Sequence, residues 1–221
     1  METFRLASGA EARLTNGARP LAVVLVNGGQ AAEVEGTWSA SLEWLVRRLA
    51  PRFPELALLD VRYRVKSWRR LELCAEDARA ALDAVEERGA QACALVGFSM
   101  GGAVSALVAG RESVRAVVGL APWLPDQLPL EGLASRRLAV IHGALDRALP
   151  GVPGVTAASS RRGFERALRA GAEDAGYTLI PGAGHAVALR APWGLQPLPR
   201  ARRWAELLAA ELERFAAGYG S

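Results

Sequence analysis

The stretch that decides the fold runs from Cys93 to Gly102 and reads CALVGFSMGG. Residues 93–96 are apolar and partly β-branched, which is typical of a strand buried in a parallel sheet. Residues 103–109 are rich in helix formers, so the chain is expected to turn from strand to helix at Ser99. Side chains at positions 97 and 101 would collide with such a turn, and both positions are glycine. The pattern therefore predicts a strained serine held above the end of the sheet.

A serine in a G-x-S-x-G turn of this kind, called a nucleophile elbow, needs a histidine base and a carboxylate that orients the base. The chain has two histidines, His142 and His185. His185 lies in a glycine-rich loop after an apolar strand predicted over residues 176–180, and Asp146 follows the strand predicted over residues 138–142 in a H-G-x-x-D segment. The chain order Ser99, Asp146, His185 completes a catalytic triad of nucleophile, acid and base.

Other residues compete for two of these roles. Asp126 follows the strand predicted over residues 115–120, and Asp60 ends a much earlier strand, so each is an alternative acid. The H-G-x-x-D context favours Asp146, because a carboxylate on a short loop after its strand can reach the outer ring nitrogen of His185. His142 is interpreted as a strand-end histidine that hydrogen-bonds to nearby backbone, with the role of base as the less favoured alternative.

Four segments in this order resemble the α/β-hydrolase superfamily, and in particular its small, lidless serine hydrolases. They are the glycine pair after the first long core strand, the elbow, the H-G-x-x-D segment and the G-x-G-H segment that ends at His185. The resemblance implies a single-domain α/β fold over residues 1–221, with a mostly parallel central sheet flanked by helices and a minimal cap. It also implies an oxyanion hole formed by the backbone N–H groups of Gly29 and Met100, with Gln30 competing for the place of Gly29. Many members carry histidine where this chain has Asn27, which leaves the hydrogen bonds around that corner open.

The segment from Ala121 to Arg137, where this fold usually inserts a lid, is only 17 residues long, so a large lid is not expected. Trp123 and the leucines that follow it are predicted to roof a modest apolar pocket together with Trp38 or Trp193. The resulting expectation is a hydrolase that cleaves carboxylic esters or thioesters of small acyl groups through an acyl-enzyme intermediate. The alternatives are a ligand-binding protein without catalysis, or a peptidase, perhydrolase or lyase that uses the same triad.

The composition and motifs argue against nucleic-acid binding, a cofactor, a metal site and membrane association. The net charge is +4, but the arginines occur as scattered pairs among acidic residues, which favours solvated helix faces over nucleic-acid binding. No cofactor, metal site or membrane association is expected, since the chain lacks a phosphate-binding motif and a histidine cluster and shows no secretion signal. Cys74 and Cys93 are interpreted as reduced, buried residues of a cytoplasmic protein. The sequence leaves the physiological substrate and the oligomeric state open.

Overall fold

The sheet of the computed structural model, which describes residues 1–147 and 154–219, places the predicted elbow at its centre. Within these residues the sheet has eight strands in the order β1-β2-β4-β3-β5-β6-β7-β8. The first two strands run antiparallel to their neighbours, and the remaining pairs are parallel. The strands are β1 Glu2–Arg5, β2 Glu11–Thr15, β3 Leu21–Val26, β4 Leu56–Arg62, β5 Ala92–Phe98, β6 Val114–Leu120, β7 Arg137–Gly143 and β8 Glu173–Ile180.

Helices cover both faces of this sheet. One face packs on α1 and α5, and the other packs on α2, α3 and α4. Alternate residues of each central strand enter the two cores, so these strands are apolar on both sides, as expected for a parallel sheet between helical layers. The helices are α1 Ala40–Leu49, α2 Leu71–Glu86, α3 Met100–Val108, α4 Ala157–Arg169 and α5 Ala201–Tyr219.

This architecture is the α/β-hydrolase arrangement that the resemblance implied: a single α/β domain with a mostly parallel sheet. The strands predicted at residues 93–96, 115–120, 138–142 and 176–180 are present as β5, β6, β7 and β8, and the helix predicted after Ser99 is α3, with ends shifted by a few residues. The segment from Thr3 to Leu14 lies in the edge strand β1 and in its neighbour β2, which pairs with β4 on its other side. A short antiparallel hairpin, β9 Ala188–Ala191 and β10 Gly194–Pro197, was not predicted.

The segment from Ala121 to Arg137 contains no folded cap, and its regular structure before β7 is the single 3-10 turn Glu131–Leu133. The predicted roof is wrong for the leucines of this segment. Leu124, Leu128 and Leu130 are buried in the core that packs on α2, α3 and α4. Their side chains pack within that core, because a short segment stabilises itself by burying its apolar residues.

Two further expectations concern the cysteines and the membrane. Cys74 and Cys93 are both buried and unbridged, and burial raises the pKa of each thiol to about 11. Thiols with such a raised pKa are unreactive at neutral pH.

Among the described residues, no helix has the length and apolar character needed to cross a membrane.

Candidate active site

Ser99 lies in the strained turn that the elbow requires. Its backbone has φ +54° and ψ −118°, a conformation that residues with a side chain rarely adopt. The glycines make the turn possible: a β-carbon at Gly97 would lie 2.4 Å from the carbonyl oxygen of Gly101, and one at Gly101 would lie 2.1 Å from that of Val26. The Ser99 N–H donates to the Leu120 carbonyl at 2.9 Å, and this bond ties the turn to β6. Strain held by surrounding contacts is typical of functional positions.

His185 and Asp146 lie together beside this turn. The Nδ1 atom of His185 is 2.6 Å from Oδ2 of Asp146, and the imidazole packs on the ring of Phe98, the residue before Ser99, at a centroid distance of 5.2 Å. The loops that carry the two residues are themselves joined. The Leu145 N–H donates to the Ala183 carbonyl at 2.9 Å. The backbone therefore fixes the acid loop against the histidine loop at the carboxyl end of β5.

Asp146 is 5% exposed, and three N–H groups lie within 3.2 Å of its carboxylate oxygens. Its Oδ1 accepts from the Val155 N–H at 3.2 Å, and its Oδ2 lies 3.2 Å from Nε2 of His142 as well as near His185. Burial alone would raise the pKa of Asp146, but the hydrogen bonds and charges of His142 and His185 outweigh burial and hold that pKa below its usual value. The carboxylate is therefore ionised at neutral pH. The contact between His142 and Asp146 is absent from the sequence interpretation, which gave His142 backbone partners alone.

The alternative acids lie elsewhere. Asp126 is exposed at the surface, in the segment between β6 and β7. Asp60 is buried near the end of β4, where burial raises its pKa to about 7. Among the described residues, Asp146 is the carboxylate that hydrogen-bonds to His185.

The corner after β3 packs directly on the elbow. A β-carbon at Gly28 would lie 3.3 Å from the Cβ of Ser99, and one at Gly29 would lie 2.2 Å from the sulfur of Met100. Within the described residues, the backbone N–H groups of Gly29, Gln30 and Met100 donate to no protein atom. All three are thus available as donors near Ser99, and Gly29 and Gln30 remain alternatives for the second position.

Asn27, which replaces the histidine common in the superfamily, has its own set of partners. Its side-chain amide donates to the Thr37 carbonyl at 2.7 Å, and its Oδ1 accepts from the Gly28 N–H at 2.7 Å. Its backbone carbonyl accepts from the Tyr63 hydroxyl at 3.0 Å. The hydrogen bonds of this corner are therefore satisfied without a histidine.

Two tryptophans flank the site, and the sequence reasoning had selected only one of them. The Trp123 N–H donates to the Ser99 carbonyl at 2.9 Å, and the Trp68 N–H donates to the Gln30 carbonyl at 3.1 Å. Their half-buried rings lie 6.3 Å apart at a tilt of 40°. The sequence feature that marks Trp68 is the pair Ser67-Trp68, in which Ser67 caps the 3-10 turn Trp68–Arg70 after β4.

The other two predicted aromatic walls have different surroundings. Trp38 lies under the guanidinium of Arg13, whose Cζ is 3.8 Å from the ring centroid. Trp193 is 77% exposed in the turn between β9 and β10. Trp68 and Trp123 are therefore the tryptophans whose backbone contacts tie them to the candidate site.

The fold is that of the α/β-hydrolases. The sequence matches the dienelactone hydrolase family over residues 61–210, and the chain belongs to that family. The match includes Ser99, Asp146 and His185. No curated protein matches the sequence significantly.

Solved structures of similar fold include proteins described as esterases, lipases and serine hydrolases. Est1E from Butyrivibrio proteoclasticus has a TM-score of 0.68 at 15% identity, covering 98% of this chain and 100% of its own. XC6422 from Xanthomonas campestris, described as an a/b serine hydrolase without lid, has a TM-score of 0.64 at 14% identity, covering 99% and 93%. A Paleococcus ferrophilus monoacylglycerol lipase has a TM-score of 0.61 at 13% identity, covering 96% and 98%. At these identities the likeness establishes the fold.

Proposed function

We propose that this protein is a cofactor-independent serine hydrolase that cleaves carboxylic esters or thioesters of small acyl groups. Ser99 is the nucleophile, His185 the general base and acid, and Asp146 the residue that orients the imidazole. The family name denotes hydrolysis of a lactone, a cyclic carboxylic ester, and supports the ester class. The observation that carries the proposal is a strained Ser99 directly after Phe98, on which His185 packs, together with the 2.6 Å distance from His185 Nδ1 to a buried carboxylate.

The proposed reaction uses each group at a stated atom. His185 Nε2 takes the proton of Ser99 Oγ while that oxygen attacks the carbonyl carbon, and it then returns the proton to the leaving alcohol or thiol. Asp146 accepts a hydrogen bond from the Nδ1–H of His185, so the ring keeps the tautomer whose Nε2 is free to act as the base. Water activated by the same histidine releases the acid and restores Ser99.

The negative charge that develops on the carbonyl oxygen needs donors that are already in place. The N–H of Met100 is one proposed donor and the N–H of Gly29 is the second, with Gln30 as the alternative. Such backbone donors are fixed before the charge develops, and the loss of one donor typically costs about 3 to 4 kcal/mol of transition-state stabilisation.

The proposed preference for small acyl groups follows from the absence of a folded cap between Ala121 and Arg137 and from the position of Trp68 and Trp123. A shallow cleft gains about 0.8 kcal/mol for each methylene it buries, and this gain ends when the chain reaches solvent. We expect the highest kcat/KM for acyl chains of roughly two to six carbons on that reasoning.

The test is kcat/KM across a series of p-nitrophenyl esters of increasing acyl length, with matched thioesters. Ser99→Ala should abolish turnover. Ser105→Ala is the matched control, because Ser105 is a buried serine of α3, the helix that follows Ser99, and its hydroxyl has no hydrogen-bond partner among the described residues. Turnover that survives in Ser99→Ala would remove the proposal, and a steep rise toward long chains would contradict the shallow cleft.

A further inference from the structure

His142 is a second histidine at the acid of the candidate triad. It is fully buried at the end of β7, and its Nε2 lies 2.9 Å from the Val155 carbonyl and 3.2 Å from Oδ2 of Asp146. Among the described residues no group hydrogen-bonds to its Nδ1. The proposed reaction gives this ring no role.

The partners of His142 fix its tautomer. A carbonyl oxygen only accepts hydrogen bonds, so Nε2 must carry the proton and donate it. A proton on Nδ1 would instead leave a buried N–H without a partner, which costs about 1 to 3 kcal/mol. His142 therefore directs one N–H at both the Val155 carbonyl and the Asp146 carboxylate.

These contacts close a small ring of hydrogen bonds. The Val155 N–H donates to Oδ1 of Asp146 at 3.2 Å, and the Val155 carbonyl accepts from His142, which in turn reaches Oδ2 of the same carboxylate. The imidazole of His142 is held from behind by Tyr177 of β8, with the two rings 15° from parallel and 6.5 Å apart. Both oxygens of Asp146 are thus held: Oδ1 by the Val155 N–H and Oδ2 by His142 at the end of β7.

We infer that His142 is a positioning residue that fixes the Asp146 carboxylate for His185, an inference that rests on the proposed function of the triad. Oδ2 receives two N–H groups, one from His142 and one from His185. The contact from His142 holds the carboxylate in place. The hydrogen bond to His185 is then made with one orientation and one tautomer of the His185 ring. The Leu145–Ala183 hydrogen bond fixes the backbone of this loop, whereas the orientation of the Asp146 carboxylate depends on the groups that contact its oxygens.

The same contacts favour the ionised carboxylate. Burial raises the pKa of Asp146, and the hydrogen bond from His142 is the first of the interactions that lower it. The interactions that offset the burial of this charge come from the two imidazoles, His142 and His185. A role confined to core packing would place no donor at this carboxylate.

The experiment compares three variants with the wild-type protein. His142→Leu removes the donor, His142→Gln returns an amide donor at similar reach, and Tyr177→Phe is the control, since it keeps the stacked ring and removes a hydroxyl that donates to the Ala157 carbonyl. We expect His142→Leu to lower kcat about ten- to a hundredfold, the scale of a small misplacement of a catalytic group, with KM within about twofold. His142→Gln should recover most of this loss, and Tyr177→Phe should match the wild type.

A purely structural role predicts a different outcome. His142→Leu would then lower the melting temperature, while the folded protein would keep the wild-type kcat, and this result would overturn the inference. Nitrogen-15 NMR of the histidines supplies a measurement that needs no variant: His142 should carry its proton on Nε2. A proton on Nδ1 in the wild type would also overturn the inference.

The readouts separate failure of the inference from failure of the proposed function. A wild-type protein that neither turns over esters nor reacts with a fluorophosphonate would refute the proposed triad chemistry. Reaction of Ser99 at equal rates in wild type, His142→Leu and His142→Gln would instead refute the positioning role alone.

Discussion

The Asp146→Asn variant tests how the candidate base is held. The Asp146 carboxylate accepts three N–H groups, from Val155, His142 and His185. Asparagine of the same shape has one carbonyl oxygen, which can only accept, and one NH2 group, which can only donate. In either orientation of this amide, at least one of the three N–H groups faces another donor in a buried site.

The magnitude follows from which pair is lost. If the amide nitrogen faces His185, the ring must take the tautomer with its proton on Nε2, where it cannot act as a base; in serine proteases this exchange lowers kcat about 10⁴-fold. If the carbonyl oxygen faces His185 and the amide nitrogen faces Val155, the tautomer survives but a buried donor is unpaired, at a cost of about 1 to 3 kcal/mol. We expect a loss in kcat of about 10²- to 10⁴-fold, or about 3 to 5 kcal/mol.

The assay is kcat and KM for a short-chain p-nitrophenyl ester, with Asp126→Asn as the control. Asp126 is exposed and is the alternative acid of the sequence analysis, so its amide variant should keep wild-type kinetics. The reasoning is refuted if Asp146→Asn keeps more than about a tenth of the wild-type kcat, or if Asp126→Asn suffers the larger loss.

Further predictions concern the elbow, a buried carboxyl group and the aromatic walls. Gly101→Ala places a β-carbon 2.1 Å from the Val26 carbonyl oxygen, and calorimetry should find it less stable by about 1 to 3 kcal/mol or more. Asp60 has a raised pKa of about 7, so the folded state binds its proton more tightly than the unfolded state, and stability should fall between pH 4 and pH 7. Asp60→Asn should remove that fall, which between pH 5 and pH 8 has an upper limit of about 3 kcal/mol in urea unfolding; an unchanged pH dependence would contradict the assignment. Trp68→Ala and Trp123→Ala should flatten the dependence of kcat/KM on acyl length, whereas Trp193→Ala should leave it unchanged.

Much of the fold could be predicted because its central strands are apolar on both faces. Such strands end where glycine, proline or charged residues begin, and the strand before Ser99, predicted from the apolar residues 93–96, is observed at Ala92–Phe98. The hairpin β9–β10 was missed because it is short, carries two prolines near its ends and shows no regular alternation. Four-residue strands that pair only with each other depend on tertiary contacts more than on pattern.

The candidate site was predictable where a motif fixes the chemistry and unpredictable where packing decides. The G-x-S-x-G and H-G-x-x-D segments indicated Ser99 and Asp146, since each needs a particular backbone turn after a strand. The leucines of residues 121–137 have an amphiphilic pattern that does not say which side they face, and they turned inward to the core. The contact of His142 with Asp146 depends on a loop that folds back on its own strand, and no spacing rule for helices or strands describes it.

The measurement that tests the central claim most directly is the site of covalent modification by a fluorophosphonate. The wild-type protein is treated with the reagent, and its intact mass and peptide map are compared with those of Ser99→Ala and Ser105→Ala. The account predicts one adduct per chain, on the peptide that contains Ser99, in the wild type and in Ser105→Ala, and no adduct in Ser99→Ala. An adduct on another residue, or a wild-type protein that does not react, would contradict it.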